Sequence, residues 1–395
     1  MSRGTEIFLT VFLGLLTALA PLSIDMYLPA LPELSLDLGI STSMTQLTLT
    51  MTMLGMAGGQ VLGGPVSDCF GRKRPLFFGI AGFTLSAFVC AVVPDVYTFL
   101  VFRFIMGFSG AVGIVIARAI ARDVKQGPAL TQFIALLMMV NGLAPVAAPV
   151  LGGQILRLTT WRGIFDVLVV VGVVMFVATF LFKETLPKTG RAASLTASFG
   201  SFSQLMGSHY FLGHCLVQCF VFGSFFSYIA GSSFLFQSIY HVSPQTYGYI
   251  FGGIGIGLLV MSVIPARLAG TVREVVFLKY SLAIPFFTSL VFLAGLWFDM
   301  PMALAIPLLF ITIVPLSVMG VASVSLALSR AGNAAGSASA LLGFFSMILG
   351  GVMMPVVGIA GDETAIPMGL LMVAGYGLAL AVFYKMIVPY HRGEM

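Results

Sequence analysis

Between Ile7 and Ile24 the chain carries no charged residue, and apolar stretches of similar length return along its whole extent. Each is long enough to cross a hydrocarbon core of about 30 Å. Only 8% of the 395 residues are charged and 59% are hydrophobic. So few charges cannot cover the surface of a soluble domain of this size. The runs are also too long and too uniformly apolar for the alternating strands, about ten residues each, of a membrane barrel. An all-α, polytopic membrane protein is the expectation. The first segment exceeds a secretory h-region, and no small-residue cleavage site with a polar continuation follows it, so it reads as a retained span.

Turn and charge punctuation predicts twelve spans, at about 7–31, 44–64, 76–94, 97–119, 129–156, 162–182, 211–235, 246–268, 276–298, 302–328, 334–359 and 364–387. The longest hydrophilic interruption, "KETLPKTGRAASLTASFGS", falls between the sixth and seventh. The expected organisation is therefore a six-helix bundle over 1–182, a cytoplasmic linker over 183–207 and a second six-helix bundle over 208–395. With a cytoplasmic N-terminus, all but three of the 19 Lys and Arg residues (Arg103, Arg157 and Arg162) fall on the cytoplasmic side. That bias places both termini in the cytoplasm. "APVLGGQI", ending the fifth segment, and "MPVVGIAG", ending the eleventh, align at an offset of 206 residues, about half the chain. A repeat of this kind suits a transporter with a site between two bundles.

Three motifs stand out. "GGPVSDCFGRK" contains Gly64, Asp68, Gly71, Arg72 and Lys73, the G-x-x-x-D-x-x-G-R-K pattern of the major facilitator loop. Gly71 permits a tight turn. Asp68 is placed to accept backbone N–H groups at a helix N-terminus, and Arg72 has Asp123, at the end of the fourth segment, as an available partner. A basic turn alone accounts for Arg72, Lys73 and Arg74, but not for Asp68 and both glycines at this spacing. Arg103 and Gly107 form the R-x-x-x-G of the fourth segment, with Met106 where that family often has Gln. The fifth segment carries Pro145, Pro149, Gly152 and Gly153. Its prolines bend the helix and its glycines allow a close neighbour. A kinked packing helix without a special role remains the alternative for that segment.

Taken together, "SIDMYLPALP", "GGPVSDCFGRK", "ARAIARD", "APVAAPVLGG", "WRGIF" and "KETLP" resemble the Bcr/CflA group of drug:proton antiporters within the major facilitator superfamily. The likeness is dense in the first half and thins in the second. Cys69 and Ala148 depart from the family pattern. The resemblance implies twelve helices in the inner membrane, proton-driven export and an amphiphilic, antibiotic-like cargo. It makes the 64–72 loop with Asp123 a cytoplasmic gate and the fifth segment the antiporter motif.

Asp25 lies eight residues before Glu33, and Arg103 eight residues after Asp95. The two therefore sit at matched depth, about 12 Å inside the outer boundary at 1.5 Å per residue. Opposite charges at one depth are expected to pair, and such a pair would serve as a proton-binding switch. A solvated interfacial acid or a static structural pair is the alternative at this position. Asp166 follows Arg162 by one turn, which predicts a local pair.

Polar groups suited to an amphiphile pocket are Tyr27, Gln46, Asn141, Gln218, Tyr228 and Gln237. The expected partners are a small amphiphile, protons and the lipid bilayer. Neither a cofactor nor a metal is expected, the proton gradient being the energy source. No nucleic acid is implied, and the chain is expected to act as a monomer. The four cysteines read as packing residues. Transport of one physiological metabolite or amino acid is the competing function. A membrane enzyme finds no nucleophile–base set, metal-ligand spacing or nucleotide loop, and a receptor or scaffold would have no need of Asp25 and Arg103.

Overall fold

A computed structural model describes residues 3–187, 205–268, 271–329 and 335–391. The regular secondary structure of these residues is helical, without a strand among them. In the first half the helices are α1 (Arg3–Asp25), α2 (Leu31–Asp37), α3 (Thr42–Phe70), α4 (Lys73–Val92), α5 (Val96–Val124), α6 (Gly127–Ile155) and α7 (Arg162–Leu181). The second half continues with α8 (His209–Phe234), α9 (Pro244–Ser262), α10 (Glu274–Trp297), α11 (Met302–Ile313), α12 (Leu316–Ser329), α13 (Ala335–Val357) and α14 (Ile366–Val382). Among the described residues, ten helical stretches are long and apolar enough to cross a membrane. Neither α3 nor α9 is one of them, because threonine, glycine and amide side chains dilute their apolar content.

Two compact units divide the chain. The first takes the described residues of Met1–Gly39 and Met51–Ser198, and the second those of Ile40–Thr50 and Phe199–Met395. The division thus cuts α3. Its first turns group with the second unit, where Gln46 Nε2 donates to the Ala230 carbonyl at 3.2 Å and Thr50 Oγ1 to that of Gly351 at 2.6 Å. Of the expected linker, residues 183–187 belong to the first unit, 188–204 lie outside the described residues, and 205–207 belong to the second unit.

In the first unit α1 packs on α5, α6 and α7, and α4 packs on α5 and α7. Small residues set the spacing, as membrane helices need close backbone approach. A β-carbon on Gly107 of α5 would overlap the carbonyl oxygen of Thr52. Helix starts are capped from the sequence: Asp95 accepts from Thr98 N at 2.8 Å to open α5, and Ser243 accepts from Thr246 N at 3.2 Å to open α9.

The second unit is built on α8, which packs against α13 and α14. Its core joins Val217, Leu278, Leu282, Met319, Tyr376 and Phe383. Tyr376 and His214, both buried there, find polar partners, as the bilayer favours. Tyr376 Oη donates to the Thr312 carbonyl at 3.1 Å, and His214 Nδ1 lies 3.0 Å from Ser323 Oγ.

Candidate functional site

α1 ends at Asp25. A turn and a short 3-10 stretch, Leu28–Ala30, follow before α2 begins, because Pro29 and Pro32 lack the N–H groups that a continuing helix would need. Tyr27 N donates to the Ile24 carbonyl at 3.2 Å, a 3-10 step that leaves the Ser23 carbonyl without its regular helical donor four residues on. Arg103, wholly buried in α5, supplies the replacement: Nη1 reaches the Ser23 carbonyl at 2.8 Å. A cation at the carboxyl end of a helix also meets the negative end of its dipole.

Aromatic rings also surround Arg103. Its guanidinium carbon lies 4.6 Å from the centre of the Tyr27 ring and 5.6 Å from that of Phe165. Phe99 and Trp161 extend the cluster, with Trp161 Nε1 donating to Asp37 Oδ2 at 3.0 Å. Guanidinium over ring faces is a stabilising arrangement once water is excluded.

The expected Asp25–Arg103 ion pair is therefore corrected. Asp25 is buried, with 7% of its surface exposed. No ion pair among the described residues joins it to Arg103. The orphaned Ser23 carbonyl and the rings take the guanidinium instead. The expected Arg162–Asp166 pair is also absent among the described residues. Asp166 is exposed, while Arg162 donates to the Ala91 and Val93 carbonyls at 3.1 and 2.9 Å and approaches Asp37 at 3.8 Å. Two freed carbonyls at the end of α4 outcompete the neighbouring acid.

The antiporter-like segment meets this site directly. Pro145 and Pro149 lie inside α6, which continues to Ile155. A β-carbon on Gly152 would overlap the carbonyl oxygen of Met26, the residue after Asp25. At the same 206-residue offset, Gly358 in the second unit makes a similar close approach, to Gln46 and Ser43.

A second cluster surrounds the turn between α3 and α4. Gly71 has φ +87°, a left-handed conformation that a side chain would strain. The turn brings Arg72 back over the end of α3. Its Nη1 contacts Asp68 Oδ1 at 2.5 Å and Ser67 Oγ at 2.8 Å, and its Nε donates to Asp123 Oδ2 at 2.9 Å. Arg72 is buried, with 7% of its side chain exposed against 48% for Asp68. Gly64 has ordinary space around it, a β-carbon there lying 3.6 Å from Val115 Cγ1.

The backbone cap expected of Asp68 comes from another residue. Glu184, just past α7, accepts from Arg72 N at 2.8 Å and Lys73 N at 3.1 Å, at the amino end of α4. Thr185 Oγ1 donates to Asp123 Oδ2 at 2.9 Å. Burial opposes the charge on Glu184, yet backbone N–H groups of Arg72, Leu186, Lys73 and Thr185 hold its carboxyl below the usual glutamate range. Its stabilising contribution is present above the ordinary glutamate pKa and is lost as pH falls through the depressed one. Sequence reasoning missed Glu184 as a cap, although an acid opening the first polar stretch after a span was a usable signal. Glu184→Ala is expected to destabilise the protein by about 1–2 kcal/mol. Asp68→Asn, at a half-exposed position, should cost less. Thermal unfolding in detergent checks the order, and equal losses would remove the distinction.

Of the six candidate pocket residues, Tyr27 and Asn141 belong to the first unit and the other four to the second. Tyr27 belongs to the aromatic cluster of the first unit, and the side chain of Asn141 lies outside the described residues. In the second unit Gln46 holds Ala230, Gln218 Oε1 accepts from Ser346 Oγ at 3.0 Å, and Gln237 Nε2 donates to Ser233 Oγ at 2.8 Å. Tyr228 stacks on Phe251 with ring centres 5.6 Å apart. Cys69, Cys90, Cys215 and Cys219 are free thiols.

A profile of the Major Facilitator Superfamily matches residues 13–355. The chain is 39% identical to the "Uncharacterized MFS-type transporter YdgK" of Bacillus subtilis, over 92% of this chain and 91% of that one. It is 30% identical to the "Bicyclomycin resistance protein homolog" of Haemophilus influenzae, over 97% and 96% of the two chains. The fold resembles that of the xylose transporter XylE from E. coli in a partially occluded, inward-open conformation. The TM-score is 0.74 with 12% identity, covering 96% of this chain and 97% of the other. A match over most of the length, apolar helices throughout and the 64–72 loop with its buried arginine agree: this chain is a multi-pass inner-membrane transporter protein of the major facilitator superfamily.

Proposed function

We propose that the chain is a proton-coupled antiporter that exports small, amphiphilic, antibiotic-like compounds by alternating access. In this reading twelve helices span the membrane, both termini are cytoplasmic, the chain acts as a monomer, and the proton gradient is the energy source without any cofactor. The observation that carries it is the buried carboxyl of Asp25, set where α1 breaks and next to the backbone that α6 touches at Gly152. Broken helices at membrane depth are where transporters of several folds place coupling ions. The resistance relative in Haemophilus influenzae supports the cargo class.

The second cluster fits a gate. Arg72, Asp68, Asp123 and Glu184 bind the ends of α3, α4, α5 and the segment after α7 through charge-assisted bonds. Bonds of this kind can be made in one state and broken in another. Expression in an efflux-deficient host is expected to raise the inhibitory concentration of several amphiphilic antibiotics at least about fourfold, and a protonophore should abolish the gain. An unchanged panel, with gradient-driven movement of one metabolite instead, would replace this reading by the metabolite transporter.

A further inference from the structure

Around the 71–74 turn, the ends of α3, α4 and α5 leave a groove of about 490 Å3 that the sites above do not use. Leu62, Val66 and Phe70 of α3 form one wall, and Phe78 of α4 and Phe108 of α5 also line the groove. Its floor is low because Gly63 and Gly79 face Val112, where added β-carbons would already stand 3.2 and 3.5 Å from it. Phe78 is 73% and Phe70 52% exposed. From Phe70 to Leu62 the wall runs eight residues, roughly 12 Å along the helix. It therefore descends from the helix end into the hydrocarbon zone.

One charged side chain lines this groove, Arg74, at the end where α4 begins. Its two neighbours are committed. Arg72 is held by two carboxylates, and Lys73 Nζ donates to the Phe180 carbonyl at 3.3 Å. Arg74 is exposed, and none of the ion pairs among the described residues involves it. A guanidinium suits a phosphate, which it can grip through two parallel N–H bonds. Basic pockets between membrane helices recognise anionic headgroups. A polar drug lying along the apolar walls would leave its own donors and acceptors unpaired, whereas an acyl chain has none to lose.

We propose that this groove binds an anionic phospholipid, with an acyl chain along the Leu62–Phe70 wall and the headgroup phosphate on Arg74. The site is independent of cargo identity. It gives α3 and α4, the two helices on either side of the Arg72 turn, a common contact with the surrounding lipid.

Phe78→Trp provides a reporter on the groove wall. The full chain carrying it is reconstituted in vesicles of phosphatidylcholine with brominated phosphatidylglycerol, or the reverse labelling, and the native chain sets the background. The quenching added at position 78 should show about fivefold tighter association of phosphatidylglycerol, the effect of one basic residue near an anionic surface. Arg74→Gln on this background should bring the two lipids level, and Arg74→Lys should keep most of the preference. Gly79→Leu, which fills the floor, should weaken quenching by either lipid. Equal quenching by both lipids in the Arg74 protein overturns the proposal without need of any further variant. Relief of quenching by ethidium, with no lipid preference, overturns it in favour of a solute.

Discussion

Asp25→Asn is expected to abolish cargo export driven by a pH gradient while the protein still reaches the membrane at its usual level. The asparagine keeps the shape of the protonated acid but cannot give up a proton, so the exchange has only one partner left. Antiport is tight only when proton and cargo oppose each other's binding, and that opposition is a reciprocal coupling free energy. Cargo binding should survive in the variant with its pH dependence gone. Arg103→Met should do damage of another kind. It leaves the buried Ser23 carbonyl without a donor and removes the cation from the Tyr27 and Phe165 rings. A loss of about 1–3 kcal/mol in stability is expected, with the pH dependence of cargo binding kept. Transport against a gradient by Asp25→Asn, still sensitive to a protonophore, would show that this acid is structural.

Gly152→Val is the second large effect. Its β-carbon alone would overlap the Met26 carbonyl oxygen, and backbone cannot step aside as a flexible side chain would. Either α6 moves away from α1 or the break after Asp25 is rebuilt. Overpacking of this sort costs about 1–3 kcal/mol or more, so export of a fluorescent substrate at matched protein level should fall at least about tenfold. Gly253→Ala is the control, since nothing lies within 4 Å of its added carbon. Native rates in Gly152→Val would show that the contact between α6 and α1 is not needed for turnover.

Much of the architecture was legible in the residues themselves. Uncharged runs mark helices because a backbone in lipid has no other way to satisfy its polar groups. Gly71 and Arg72 announced a turn, and the turn has the positive φ that only glycine takes easily. Partner choice was less legible. Arg103 and Asp25 share a depth, but depth does not reveal that Tyr27 N bonds to Ile24 and frees the Ser23 carbonyl. Arg162 likewise passes over Asp166 for carbonyls on α4, which no local spacing encodes. Glu184 was visible as a charge, yet its role as a cap depends on α7 returning beside the start of α4. Nor does the composition of α3 say that its opening turns group with the second unit.

The way Arg103 is held has a consequence for measurement. Among its contacts are a peptide carbonyl and two aromatic faces, and none of these gains or loses a proton between about pH 5 and 8. Being wholly buried, the contact is also shielded from dissolved ions. At the Ser23 carbonyl the broken end of α1 is thus held by a contact blind to both acidity and ionic strength. Titrating the medium leaves that contact in place, so a vibrational probe of the Ser23 carbonyl should keep its signal from about pH 5 to 8.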